Sequence, residues 1–332
     1  MEWTGAGLEG LSVVDVATGL SGLFCAHRLH HFGAGVLTTR RTDMRLAAGF
    51  TPGLEVVEPG DPALAARVET ADIVIDDDDP IMRRYAECAG PRAVRVVITP
   101  FGRTGPYAGF TATDLTAEAF GGALGSSGLP DRAPVALGGH LVSTYVGGVA
   151  AAAAVAELWL VERTGVGAIV EVSAVEALAA SMDRRAVQLL THSYTGWDAE
   201  RQDGSQAALI TGVYACGDGL AYVSLYGWHI KAVCQMIGDP RLDAFIDRPG
   251  LALRPPGNAV FRAAVLEWLA ARPTREVVDV AQGMGWPVIP VNSLPDALVD
   301  PWLVSSGLVA EQEGGLRVPT GGVMCRSAGD RP

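Results

Sequence analysis

The sequence predicts an α/β protein: a large Rossmann-like domain built from both chain ends, with a smaller α+β domain inserted between them. Three observations carry this. Short β-branched runs alternate with segments of helical periodicity through roughly the first hundred residues, as parallel strands joined by crossover helices require. A long Ala-rich helix follows and feeds another strand. After about Tyr194 the pattern changes to a hairpin and short helices. The expected boundaries are 1–195 for the first part of the large domain, 196–292 for the small domain, and 293–332 for a C-terminal segment that returns to the large one.

Taken in order, Leu11–Val16 is a β-branched run. The Thr18–Gly22 turn leads from it into Phe24–Phe32, where apolar residues recur at helical spacing. Gly35–Thr38, Glu55–Glu58, Ala71–Ile75 and Val94–Ile98 read as further strands, with Ala71–Ile75 ending in Asp76-Asp77-Asp78-Asp79-Pro80. Leu141–Glu162 reads as one long helix stopped by Thr164-Gly165, then Ala168–Ser173 as a strand and Val175–Thr191 as a helix. Gly212–Cys216 and Ala221–Leu225 flank Gly217-Asp218-Gly219, a hairpin signal. Phe261–Ala271 and Arg275–Gly283 read as helices.

Composition narrows the function. The chain has 332 residues, 49% hydrophobic and 19% charged, enough for a large core. A net charge of -12 argues against nucleic-acid or anionic-membrane partners, which require a basic face. Five separated cysteines without a CxxC pair indicate neither a disulfide framework nor a zinc site. The N-terminus lacks a signal-peptide pattern, and Val146–Val161 is too short to span a bilayer, so a cytoplasmic protein is expected.

Seven segments, in order, resemble the family III CoA-transferases (the CaiB/BaiF group, which contains formyl-CoA transferase, carnitine CoA-transferases and α-methylacyl-CoA racemase). They are LEGLSVVDVATGLSG at Leu8–Gly22, FGAGVL at Phe32–Leu37, ADIVID at Ala71–Asp76, FGRTGPY at Phe101–Tyr107, Asp114-Leu115 with Gly121-Gly122, RTGVGAIVEVS at Arg163–Ser173 and GWPVIPVNSLPDALVDP at Gly285–Pro301. The resemblance implies an interlocked homodimer and a mechanism in which an aspartate carboxylate attacks an acyl-CoA thioester. It implies CoA as a substrate, with no tightly bound cofactor and no metal. Counted from Pro134-Val135, the position of that aspartate is Ser143. Ser143, or Thr144, has a capping reading in the first helical turn. It has a second reading as a nucleophile with His140 as base, and a third as a substrate contact. The racemase branch pairs the aspartate with a histidine before the residue matching Asp114, and Thr113 stands there instead. Asp114 is therefore either structural or catalytic.

For CoA, the resemblance points to Arg41, with Arg40 alongside it, and Arg103 and Gly19 complete the cofactor-binding candidates. Where the family carries an arginine after the ADxxI strand, this chain has the aspartate run, which would repel phosphates in a shared cleft and otherwise reads as a solvated turn. His27, His30 and His31 share a helix and read as a partly exposed face. Tyr226-Gly227-Trp228-His229 is a candidate aromatic wall. The reading that results is an altered CoA-transferase-like enzyme acting on a carboxylate or acyl thioester. The alternatives are a non-catalytic subunit of a heteromer with an active paralogue, and a Ser143-dependent acyl hydrolase.

Overall fold

The computed structural model describes residues 7–39, 49–122, 124–181, 184–196, 201, 210–311, 315 and 317–319. The chain forms two compact units, one of Met1–Ser127, Pro134–Glu200 and Gly307–Pro332, the other of Gly128–Ala133 and Arg201–Ser306. The boundary expected at 292 thus falls after Ser306, and Gly128–Ala133 joins the second unit.

The first unit is built on a six-stranded sheet of order β3-β2-β1-β4-β5-β6, every pairing parallel. The strands are β1 (Ser12–Asp15), β2 (Gly35–Thr39), β3 (Glu55–Val57), β4 (Ile73–Asp76), β5 (Val94–Thr99) and β6 (Ala168–Ser173). Period-two alternation sends side chains to two cores. On one face Val13, Ile73, Ile75, Val94 and Val96 pack with Cys25, Ala26 and Leu29 of helix α1 (Leu20–His31). On the other, Val14, Leu37 and Val74 pack with Leu64 and Val68 of α2 (Leu64–Glu69) and Ala86 of α3 (Arg83–Ala86).

Between β5 and β6 come α4 (Asp114–Phe120) and α5 (Leu141–Thr164). One stripe of α5, with Val146, Ala150, Ala154 and Leu158, lies in the first core. Leu141, Tyr145, Val155 and Trp159 face outward. Small residues let α5 meet α1 closely: a Cβ on Gly147 would stand 2.5 Å from the Ser21 carbonyl oxygen. Gly165, at φ 73°, ends α5 in the left-handed conformation that a Cβ would strain.

The continuous helix expected over Val175–Thr191 is two helices, α6 (Ala174–Ala179) and α7 (Arg184–Thr195). The Ser181 hydroxyl donates to the Leu178 carbonyl at 2.7 Å, a local alternative to the helical ladder that ends α6.

In the second unit, β7 (Thr211–Ala215), β8 (Leu220–Ser224) and β9 (Val288–Pro290) form an antiparallel sheet. Val223 and Val288 pack with Phe261, Val265 and Leu269 of α10 (Gly257–Ala270) and with Ile230 and Val233 of α8 (Ile230–Ile237). Helix α9 (Asp243–Asp247) lies between these two in the chain. The helices α11 (Thr274–Gly283), α12 (Leu294–Val299) and α13 (Pro301–Ser305) complete the unit.

Candidate active site

Three of the predicted site residues meet at the N-terminus of α5. Ser143 Oγ donates to Asp114 Oδ1 at 2.6 Å, and the Ser143 N–H donates to Asp114 Oδ2 at 3.2 Å. His140 Nδ1 stands 3.9 Å from the same Oδ2. Asp114 reaches this point because Thr113 caps α4, placing the aspartate in the first turn and aiming its side chain across to α5. His140 is the residue before α5 and adopts φ 56°, ψ 36°, a left-handed conformation uncommon for a residue with a Cβ. The arrangement corrects two expectations. Ser143 does not cap the helix; Asp114 does so from a neighbouring element, while the Thr144 hydroxyl donates back to the His140 carbonyl at 3.1 Å. The Ser143 proton is directed to Asp114, not to His140.

The field here suits an anion. A free helix N-terminus carries roughly half a positive charge, and α5 is 24 residues long. The Asp114 carboxylate sits on that terminus with 29% of its side chain open to solvent.

A second cluster lies at the C-terminal ends of β1 and β4, where the strand order reverses and open α/β sheets bind ligands. The aspartate run is not a solvated turn: each member has its own role. Asp76, 1% exposed, pairs with Arg95 Nε at 2.6 Å. One Asp77 oxygen accepts from the Thr18 N–H (2.8 Å), the Thr18 hydroxyl (2.7 Å) and the Gly19 N–H (2.9 Å). It therefore occupies the N-terminus of α1, where a bound phosphate would otherwise be favoured. Asp78, at φ 60°, faces Arg83 and Arg103 at 3.4 and 3.7 Å. Asp79 Oδ1 accepts from the Ile81 and Met82 N–H groups. Two cofactor candidates are thus engaged internally: Gly19 with Asp77, and Arg103 with Asp78 and with Glu171 at 3.0 Å. Arg40 and Arg41 lie outside the described residues.

Two of the three helix histidines serve the backbone. His27 Nδ1 bonds the Phe50 carbonyl and His30 Nδ1 the Ala34 carbonyl, both at 3.1 Å. Burial pushes the His27 imidazole down to about 4, against the upward pull of the Phe50 bond. Among the described residues no group of three His, Cys, Asp or Glu is arranged to hold a metal. Tyr226 and Trp228 stack at 4.6 Å between ring centroids, 3° apart, both exposed. A cavity of about 1120 Å³ in the second unit is lined by residues including Asp218, Arg275 and Trp302, and by none of the α5 cluster.

Sequence reasoning paired Ser143 with His140 and named Asp114 apart from them, and so missed the Asp114–Ser143 bond, which spans 29 residues. It also missed Arg95 as the partner of Asp76. The one signal available was a charged residue inside an otherwise apolar strand run, which in a parallel sheet calls for a counter-charge nearby.

Comparison with known proteins agrees with this architecture. The solved structure of a CaiB/BaiF family protein from Brucella suis superposes with a TM-score of 0.77 at 20% identity, covering 98% of this chain and 94% of that one. Acetyl-CoA:oxalate CoA-transferase of Acetobacter aceti is 28% identical over 80% of this chain and 70% of its own length. The succinyl-CoA–L-malate CoA-transferase alpha subunit of Chloroflexus aurantiacus is 26% identical over 92% of this chain and 75% of its own. The profile described as CoA-transferase family III matches residues 56–331, most of the chain, and with the sheet order and the ordered segments places the protein in that family: the chain belongs to CoA-transferase family III.

Proposed function

We propose that the protein moves coenzyme A between an acyl thioester and a small carboxylic acid, at the N-terminus of α5, with Ser143 standing where the family resemblance expects the catalytic aspartate. The observation that supports this reading most is the 2.6 Å bond from Ser143 to a partly open carboxylate, Asp114. A carboxylate is still supplied at this point, and the helix terminus favours the negative charge that develops on a thioester oxygen under attack. The related enzymes named above act on oxalate and malate, so short diacids are the first acceptors to examine. Arg103 and Gly19 are held by acidic partners, which leaves Arg40 and Arg41 as the CoA phosphate contacts in this reading. A hydrolase with His140 as base is disfavoured, because the Ser143 hydroxyl donates elsewhere.

The test is thioester exchange. The purified protein is mixed with acetyl-CoA or succinyl-CoA and with oxalate, malate or succinate, and new thioesters are separated by chromatography. Formation of the acceptor thioester, with weaker CoA binding in Arg40→Ala/Arg41→Ala, supports the proposal; absence of CoA binding at millimolar ligand refutes it. A second reading, a non-catalytic subunit, is favoured by the relative named as an alpha subunit. It requires exchange to appear only when an aspartate-bearing homologue is added, and a self-sufficient homodimer refutes it.

A further inference from the structure

We infer that Asp114 is the nucleophile that takes the acyl group, with Ser143 as its positioning residue; this deepens the proposal above and rests on it. The argument begins with what the transfer demands. A group that passes CoA from one acid to another must form covalent intermediates that stay as activated as a thioester. A carboxylate does so by forming an anhydride, whereas a serine forms an ordinary ester that is too stable to return its acyl group. Position 143 has no carboxylate of its own. Asp114 brings one to within a hydrogen bond of it, 2.6 Å from Oγ and 3.2 Å from N.

Accessibility selects Asp114 over its neighbour. Glu118, on the same helix, is 1% exposed and closed onto the Leu137 N–H at 3.1 and 3.2 Å. Asp114 keeps 29% of its side chain open. The Ser143 hydroxyl on Oδ1 and the Ser143 N–H on Oδ2 fix the plane of the carboxylate, as positioning donors should. The left-handed backbone of His140 holds its ring beside the same oxygen, and strain of this kind is a feature of functional sites.

In the first step an Asp114 oxygen bonds to the thioester carbonyl carbon, the C–S bond breaks, and the electron pair leaves on sulfur as CoA thiolate. The product is an acyl-aspartyl anhydride. The thiolate then bonds to the Asp114 carbonyl carbon, the anhydride C–O bond breaks, and the donor acid departs as its carboxylate. The acceptor carboxylate reverses the two steps and restores Asp114. No net proton, oxidant or reductant is required.

Trapping tests the assignment. Full-length protein is incubated with acetyl-CoA or succinyl-CoA, quenched with hydroxylamine, and mapped by peptide mass spectrometry. The expected result is a hydroxamate at Asp114, absent in Asp114→Asn, with exchange in that variant lower by about 10⁴-fold or more. Ser143→Ala should keep the label while kcat falls about 10-fold or more and KM holds. An acyl ester on Ser143, or exchange that persists in Asp114→Asn, overturns the assignment. Exchange in the wild type without a label at Asp114 overturns it and leaves the transferase reading standing; no exchange and no label with either donor overturns both. Because these readouts include the wild-type protein, a misfolded variant does not shield the inference.

Discussion

Adding one methyl group at Gly147 should destabilise the protein, whereas the same change at Gly148 should not. The Gly147 Cβ would stand 2.5 Å from Ser21 O, 3.0 Å from Phe24 Cβ and 3.1 Å from Cys25 N, all on α1. With normal contact beginning near 3.4 Å, the methyl is about 0.9 Å too close to a helix backbone that has no rotamer to change. Moving the helices apart by that amount forfeits roughly a quarter to a half of the dispersion attraction across the crossing. Overpacking of this kind costs about 1–3 kcal/mol, and the intrinsic preference of Ala over Gly in a helix returns about 1 kcal/mol. The net expectation for Gly147→Ala is a loss of up to about 2 kcal/mol, about 1–3 kcal/mol worse than Gly148→Ala. At Gly148 no atom lies within 4 Å of the new Cβ, so Gly148→Ala keeps the helical gain of up to about 1 kcal/mol. Urea unfolding of the two variants beside the wild type reads the difference. If Gly147→Ala unfolds at the same or a higher midpoint than Gly148→Ala, the close crossing of α1 and α5 is not as described.

Three further outcomes are expected. His27 is held neutral by burial with a folded value of about 4, below its ordinary value near 6.5. The unfolded chain therefore binds a proton more readily, and the His27 contribution, complete above pH 6.5, should be lost as pH falls through about 4; denaturation midpoints should show this slope in the wild type and less of it in His27→Gln. Arg95→Met leaves Asp76 buried without its partner and should cost about 3–5 kcal/mol, while the Asp76→Leu/Arg95→Met double variant should recover most of that loss in the same unfolding assay. Gly165→Ala puts a Cβ on a residue at φ 73° and should lower the thermal midpoint, with a cost of about 1 kcal/mol.

The elements that were readable had local causes. Ala168–Ser173 was bounded correctly because Gly165 and Gly167 precede it and its residues are suited to a strand. The start of α5 at Leu141 followed from Gly138-Gly139, which break the chain just before the Ala-rich helical stretch. What the residues could not display were contacts set by packing. The Ser143–Asp114 bond depends on how α4 and α5 meet, and the first-turn serine, which by local preference would cap its own helix, has its N–H satisfied from outside instead. The aspartate run was misread for a related reason. Its solvated appearance came from composition, whereas its partners Thr18, Arg95 and Arg103 are distant in sequence and are brought alongside only by the sheet.

The last parallel pairing of the sheet governs the order in which the protein can be assembled. β6 joins β5 from Val94↔Ala168 through Thr99↔Ser173, so the chain must travel through α4 and α5 before β5 gains its second neighbour. At ribosomal rates of roughly 5–20 residues per second, β5 waits roughly 4–15 s with a bare edge and part of the core uncovered. An open edge is a template for pairing with other chains. Nascent chains halted before Ala168 should therefore aggregate or be retained by chaperones, and chains extended past Ser173 should be released soluble.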